Sequence, residues 1–364
     1  AGPFRDVLRD RLVLAMLLSG PPILLALQVA IYEEAIAWAW AMASLFVAIA
    51  LRALTTARGF TTGTLSAMAA AAGICLLTRP STGLGLRVSL ALLMLWLLVR
   101  PDSDAATPLR RMLRRLPTAR ILVPTLIVTV AVAGAGLVNW GRWGNPFVVQ
   151  DMRTYVQFLE VFPERLQRLE TYGMFSPWRI PYGLAYYVLP VWMLRVDGVY
   201  PLKARIVELF DNYELPAASL LISDALTVTL AVAGVTALLR GRTAPVSRPG
   251  AVALVAGLCV SPVLMLMAWY MAFRYRAEFA PLLTTLACIG AASWVARAGG
   301  WTERRRGTVQ TLVILLFLVQ VLSSHLFSLT NALLPRGIGL AHMNSSIVDV
   351  YRVCFTTGCE PPAE

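Results

Sequence analysis

Long apolar runs recur along the whole sequence, and they limit the possible folds more than any other feature. Each run is about 17–24 residues long, enough for a helix to cross a hydrocarbon core of roughly 30 Å. Charged residues make up only 14% of the chain, whereas a soluble domain contains about 25%. The runs are continuous and do not alternate in steps of two, which excludes a membrane β-barrel. The sequence therefore predicts an all-α, polytopic transmembrane helical bundle.

We predict about nine membrane spans, because nine apolar runs lie between charged or turn-forming segments. Their approximate ranges are 12–31, 35–51, 62–78, 83–99, 121–138, 217–239, 250–273, 279–296 and 309–330. Arginine is concentrated in alternate connections, and the positive-inside rule places those connections and the N-terminus in the cytoplasm. We therefore expect a multi-pass protein of a bacterial inner (plasma) membrane, with its active face outside.

These spans divide the chain into four parts. Residues 1–138 form an N-terminal membrane bundle of about five spans, and residues 217–330 form a C-terminal bundle of about four. Residues 139–216 form a large outer loop, in which apolar residues at three- and four-residue spacing predict amphipathic interfacial helices. Residues 331–364 form an outer tail.

Two adjacent carboxylates, Glu33 and Glu34, lie in a predicted short turn between two spans on the outer side. Carboxylates at such a position can hold a divalent cation, act as a general base, or mark the water boundary. The residues alone leave these three alternatives open. No cofactor is required by the sequence, and a divalent cation at these carboxylates is the one candidate.

Arginines follow predicted spans in three outer segments. These are Leu77–Gly83 with Arg79, Asn139–Phe147 with Arg142, and Arg274–Pro281 with Arg274, Tyr275 and Arg276. A guanidinium at the end of a span can bind a phosphate through its fork of donors or reach toward lipid headgroups. For Arg276, an ion-pair network with Glu278 is a further alternative. Asp151 follows the second segment, where it can cap the predicted amphipathic helix.

Other kinds of site have little support in the sequence. The two histidines, His325 and His342, have no second ligand at metal-binding spacing, so no metal site is predicted from them. The arginines lie in short loops rather than in one patch interleaved with aromatic residues, which argues against nucleic acid as a partner. In the outer tail, Cys354 and Cys359 are candidates for a disulfide if the compartment is oxidising.

Taken in chain order, the outer segments resemble the GT-C superfamily of polytopic membrane glycosyltransferases, which includes protein O-mannosyltransferases and lipid-A aminoarabinose transferases. The matching features are the outer acids Glu33-Glu34, the LTRP-T/S-G segment at Leu77–Gly83, the N-x-x-R-F/W-G-x-P-F pattern at Asn139–Phe147 and the R-Y-x-x-x-x-x-P turn at Arg274–Pro281. Each match is weak alone, and their common order on the predicted outer side carries the resemblance.

The resemblance implies transfer of a sugar from a polyprenyl-phosphate donor to an acceptor of unknown identity on the outer side of the membrane. It implies catalytic roles for Glu33 and Glu34, and a lipid-phosphate site comprising Arg79, Arg142, Asp151, Arg274, Tyr275 and Arg276. Family members carry the catalytic acid in a first outer loop, and no such loop precedes Arg11. We therefore expect the chain to lack the N-terminal part of the family and to be inactive alone.

Two other function classes remain as alternatives. A transporter or flippase for an anionic lipid or solute would use the same arginines for binding without chemistry, but it predicts charges in mid-membrane. Apart from Arg87 and Asp224, the charged residues lie near the ends of the predicted spans. A non-catalytic membrane scaffold is the third class, and it leaves the outer arginines unexplained. In all three classes membrane lipids are partners.

Overall fold

The structure is a computed structural model, and it describes residues 2–19, 31–56, 59–99, 118–150, 163–189, 209–210, 212–213, 219–243 and 245–333. The helices are α1 (Gly2–Leu18), α2 (Ile31–Thr55), α3 (Thr62–Thr78), α4 (Pro80–Val99), α5 (Ala119–Trp143), α6 (Pro163–Tyr172), α7 (Ile180–Val188), α8 (Leu220–Ser223), α9 (Ala225–Leu239), α10 (Arg248–Leu258), α11 (Val260–Met267), α12 (Ala280–Ala298) and α13 (Glu303–Leu333). Two 3-10 turns cover Pro177–Arg179 and Phe273–Glu278. Short strands β1 (Asn212–Tyr213) and β2 (Tyr270–Met271) pair in parallel.

Six of the described helices are long and apolar enough to cross a membrane. They cover Glu34–Thr55, Pro80–Val99, Ala119–Trp143, Arg248–Met267, Ala280–Ala298 and Glu303–Leu326, the fourth of these comprising α10 and α11. The shorter helices α3 and α9 are apolar as well. The prediction of a helical, membrane-spanning protein is thus confirmed. The count of nine spans stays a prediction, since residues 20–30 of its first span lie outside the described part of the chain.

The predicted outer loop is described only in part. Within it, the structure describes the two helices α6 and α7. Asp151 lies outside the described residues, as do Cys354 and Cys359 in the tail. The outer loop and the division of the chain into four parts therefore stay predictions.

Local sequence accounts for the helix ends near α3 and α4. Thr61 and Thr64 form a reciprocal capping box at the start of α3, in which each side chain accepts from the other residue's backbone amide. At the other end Arg79 adopts an extended conformation, and Pro80 begins α4. Proline suits the first position of a helix because its fixed φ is helical and no donor is lost there. The chain therefore reverses sharply at Arg79.

Small residues allow the apolar helices to approach closely. A Cβ atom at Gly234 of α9 would overlap the carbonyl oxygen of Leu286, and one at Gly290 of α12 would overlap that of Leu230. Close backbone approach stabilises helix pairs in lipid, where hydrophobic exclusion from water contributes little to helix association. The contact of α9 with α12 is accordingly built on these glycines.

Glycines also allow α4 to pack closely against α10 and α11. A Cβ atom at Gly257 would overlap the backbone of Ser89, and one at Gly85 would lie 3.3 Å from Cβ of Ser261. Ser89 Oγ also donates to the carbonyl of Leu254 at 3.0 Å. This packing brings the start of α11 against the first turns of α4, which is where the buried polar residues converge.

A third set of contacts attaches the segment with α7 to the bundle. Tyr187 is buried, contacts the ring of Phe279 at 5.0 Å between centroids, and donates from its hydroxyl to the carbonyl of Ala272 at 3.1 Å. A backbone hydrogen bond from Ser176 N–H to the carbonyl of Met267 (2.9 Å) closes the same junction. The turn that carries Arg274 is therefore held from two sides.

Candidate functional site

Glu278 lies at the centre of a buried polar cluster where the α3–α4 junction meets the second 3-10 turn. Its side chain is 2% exposed. Arg79 Nε and Ser81 Oγ donate to its Oε1 at 2.6 and 2.7 Å, while the hydroxyls of Thr82 and Ser261 donate to its Oε2. A buried carboxylate is tolerated only when charge and hydrogen bonds compensate it. Here one guanidinium and three hydroxyls do so.

The position of these donors follows from the local fold. Because Pro80 begins α4, Ser81 and Thr82 lie in its first turn and point their hydroxyls to one side. Ser261 reaches the same carboxylate from α11, since Gly85 leaves no side chain between the two helices. The cluster thus joins three elements that are distant in sequence.

Tyr275 lies near two guanidinium groups. The Cζ of Arg79 is 4.7 Å from the centre of its ring, and the Cζ of Arg274 is 5.7 Å from it. Arg274 is also 5.8 Å from the ring of Tyr270. Cations are attracted to the negative faces of aromatic rings, so this stack keeps two positive groups close together at the Arg79 end of the bundle.

A second buried ion pair lies behind this stack. Arg276 Nη2 is 2.5 Å from Asp224 Oδ2, and both residues are buried. Arg276 also donates to Ser223 Oγ, which in turn donates to Asp224 at 3.0 Å. Burial lowers the pKa of the Arg276 guanidinium, and the Asp224 carboxylate opposes this effect. The pair links the start of α9 to the second 3-10 turn.

A small cavity adjoins that ion pair. Its volume is ≈ 40 Å³, and its walls include Asp224, Arg276, Gln320 and Trp40. Gln320 Oε1 accepts from the backbone amides at the start of α9, at 3.0 and 3.1 Å, and its Nε2 donates to Ser19, the residue that follows α1, at 2.9 Å. One glutamine of α13 therefore caps α9 and ties it to α1.

Among the described residues, Arg179 is one of the largest fully buried side chains, and it was not singled out from the sequence. Its guanidinium donates to the carbonyls of Leu209 (2.7 Å), Gly173 (2.9 Å), Met174 and Met267 (both 3.2 Å). Burial lowers the pKa of Arg179 to about 10, so it stays charged at neutral pH. The one sequence feature that could have pointed to Arg179 is its position in the Pro-Trp-Arg turn before α7.

Comparisons of the chain with family models, with curated proteins and with solved structures give no match. The interpretation of the site therefore depends on its own geometry.

The structure brings together two of the three arginine segments. Arg79 and Arg274 both lie near the ring of Tyr275, although nearly two hundred residues separate the two segments. Arg276 and Glu278 belong to the same turn, but Arg276 pairs with Asp224 and Glu278 with Arg79. Sequence reasoning proposed the turn as a unit, and it did not identify the acid that each arginine contacts.

The remaining predicted site residues lie elsewhere or cannot be placed. Arg142 is exposed in the last turn of α5. Glu33 and Glu34 belong to the first turn of α2 rather than to a loop; Glu34 is exposed, and the side chain of Glu33 is outside the described set. Within the described ranges, no group of three or more His, Cys, Asp or Glu side chains is placed to hold a metal ion.

Proposed function

We propose that the chain is the membrane region of a GT-C-type glycosyltransferase, which transfers a sugar from a polyprenyl-phosphate donor to an acceptor on the outer side of the membrane. One observation carries the proposal. The segments around Arg79 and Arg274, which the resemblance assigns to one phosphate site, contact each other through Glu278 and Tyr275.

The orientation in the membrane is part of this proposal. Arg79 and the turn with Arg274 lie at one end of the apolar helices, whereas Arg52, Arg240 and Arg297 lie near the opposite ends of α2, α9 and α12. The positive-inside rule favours the second end as cytoplasmic. The Arg79 end then faces outward, which is the side where a lipid-linked sugar replaces cytosolic nucleotide sugars as the donor.

Within the site, we assign contact with the leaving lipid phosphate to Arg79 and Arg274. Arg79 uses Nε for Glu278, and among the described residues its two Nη groups have no hydrogen-bond partner. A guanidinium oriented in this way presents a fixed pair of donors to phosphate oxygens. Negative charge develops on that phosphate as the sugar leaves, and oriented donors stabilise it most in the transition state.

Arg276 has a different role in this proposal. It is buried against Asp224, so it positions the turn that carries Arg274 and does not contact the phosphate. Arg142 and the carboxylates Glu33 and Glu34 stay candidates for contacts with donor or acceptor. A divalent cation at those carboxylates likewise stays a candidate.

The test measures conversion of undecaprenyl-phosphate mannose to undecaprenyl phosphate in native membranes that contain the natural protein, overproduced at its full length, and the natural acceptors. The change is Arg274→Ala, and Arg304→Ala is the control, since Arg304 is exposed at the opposite end. We expect the first substitution to slow conversion about 10²–10³-fold, as loss of a charge-stabilising donor does, and the second to leave it unchanged.

Two results would contradict the proposal. One is conversion no faster than in membranes without the protein, with mannose and aminoarabinose donors alike. The other is full activity of Arg274→Ala at an expression level equal to that of the wild type. Movement of the lipid between leaflets without loss of the sugar would instead indicate the transporter alternative.

A further inference from the structure

A groove runs along the side of the bundle between α3, α4 and α5. Leu76 of α3 and Arg87 of α4 form one wall, the stretch from Val132 to Trp140 of α5 forms the other, and Phe147 lies at its end. The groove has a volume of ≈ 680 Å³. Only 11% of the apolar core of α5 is buried against the protein, so the groove opens sideways to the membrane.

Arg87 is the only charged residue among those that line this groove. It is half-buried in the second turn of α4, and its Nε donates to the carbonyl of Gly83 at 3.1 Å. This hydrogen bond directs the guanidinium back toward the start of the helix. Across the described ranges, no carboxylate forms an ion pair with Arg87. A cation within a span is costly without an anion or water.

The polar and apolar parts of the groove follow one another along the axis of α5. Asn139 and Trp140 of α5 lie at the same end of the groove as the Arg87 guanidinium. Residues of α5 from Leu137 back to Val132 line the rest of that wall. Eight residues of helix correspond to roughly 12 Å. The groove thus has one positive group, Arg87, at one end. The apolar channel beyond it is long enough for several methylene groups of an acyl chain.

We propose that this groove binds one anionic phospholipid of the bilayer, with its phosphate on Arg87 and an acyl chain along α5. The charge argues for this occupant, because a phosphatidylglycerol headgroup has a single uncompensated negative charge, which matches one uncompensated arginine. A zwitterionic headgroup carries a positive charge of its own, which would lie close to the Arg87 guanidinium and so matches it less well. Neither Arg79 nor Arg274 lines the groove, so this lipid is distinct from the proposed sugar donor and its binding does not depend on the proposed reaction.

The first test compares lipid binding by wild type and Arg87→Gln in native mass spectrometry, with dioleoyl phosphatidylglycerol titrated into the detergent-purified full chain. The matched control is Arg304→Gln, at an exposed arginine at the start of α13, on the opposite end of the bundle. We expect Arg87→Gln to weaken phosphatidylglycerol binding at least about tenfold, as loss of charge-assisted hydrogen bonds does, and Arg304→Gln to leave it unchanged.

The second test blocks the channel and keeps the charge. Ala133→Trp places a large side chain in the groove, whereas Val130→Trp places the same side chain on a 63% exposed position of α5 outside it. Both sites face lipid, so unchanged helix content by circular dichroism separates loss of binding from misfolding. We expect only Ala133→Trp to weaken phosphatidylglycerol binding.

Three outcomes overturn the proposal. They are equal binding by wild type and Arg87→Gln, binding of dioleoyl phosphatidylcholine as tight as that of phosphatidylglycerol, and displacement of phosphatidylglycerol by an equal amount of undecaprenyl phosphate. The last result would assign the groove to a polyprenyl lipid and would leave the transferase proposal intact.

Discussion

Arg79 Nε lies 2.6 Å from Glu278 Oε1, an ion pair between residues 199 positions apart in the sequence. It joins the sharp reversal between α3 and α4 to the turn that precedes α12. Glu278 is buried while the Arg79 side chain is 19% exposed, so the acid holds an arginine that still reaches the surface. The pair therefore combines a structural contact with a cation available to a ligand.

Removal of either partner should destabilise the protein. Glu278→Ala leaves the arginine and three hydroxyls without their acceptor, and we expect a loss of about 3–5 kcal/mol in the free energy of unfolding, as for other broken buried pairs. Unfolding by SDS in mixed micelles measures it. Glu34→Gln, at an exposed acid, is the control. If Arg79→Gln/Glu278→Gln loses as much as the single variants Arg79→Gln and Glu278→Gln added together, the residues are not coupled.

The glycine contact between α9 and α12 should tolerate no side chain. Gly290→Ala forces a Cβ atom into the carbonyl of Leu230, and we expect a cost of about 1–3 kcal/mol from the resulting shift of the helices. Gly134→Ala is the matched control in another apolar helix, because nothing lies within 4 Å of its Cβ position. The same unfolding assay should show that control neutral or stabilised by up to about 1 kcal/mol.

Arg179 should hold the segment before α7 on the bundle. Arg179→Gln leaves the buried carbonyl of Leu209 and the part-buried carbonyls of Gly173 and Met267 without this donor. An unsatisfied buried acceptor costs about 1–3 kcal/mol. We expect amide hydrogen exchange at Met174–Arg179 to become at least about tenfold faster. Arg142→Gln, at an exposed arginine, should leave exchange there unchanged. Equal protection in both variants would show that other contacts hold the segment.

Gln320 should act as a cap supplied by another helix. Gln320→Leu removes the oxygen that accepts from the first amides of α9, and we expect a loss of about 1–2 kcal/mol, comparable to loss of an N-cap. Gln310→Leu, ten residues earlier in α13, is the control with the same change of side chain. An equal loss in both variants would mean that the cap adds nothing measurable.

The ring of Tyr275, not its hydroxyl, should matter for the arginine stack. Tyr275→Phe keeps the face between Arg79 and Arg274, so donor conversion should be unchanged. Tyr275→Leu removes the face and with it about 0.5–2 kcal/mol of cation–π attraction, which should raise the KM for undecaprenyl-phosphate mannose up to about thirtyfold. Loss of activity in both variants would instead point to a role for the hydroxyl.

Several parts of the site could be predicted from the sequence. Arg79, Arg274 and Tyr275 were assigned to one surface because each follows an apolar run at the same predicted end, and they lie together in the structure. Arg142 was assigned to that surface by the same reasoning, and it is exposed at the end of α5. A position at the end of a span fixes the height of a residue in the membrane, but not its neighbours around the bundle.

The pairings of the buried charges could not be predicted. Arg276 lies two residues from Glu278, yet its carboxylate partner is Asp224 at the start of α9. Arg179 and Gln320 resemble ordinary polar residues of a turn and of an apolar helix. Their roles depend on which carbonyls and amides another segment brings within hydrogen-bond distance, and local sequence carries no such information.

Hydropathy alone determined that this chain forms long apolar helices, because lipid cannot hydrogen-bond the backbone and a helix satisfies its own amides and carbonyls. The tertiary structure decided which helices touch. Gly257 and Gly85 let α10 and α11 approach α4. This close packing places the Ser261 hydroxyl within hydrogen-bond distance of Glu278. Contact between helices depends on complementary shapes of two distant segments, so the site exists only once both are packed.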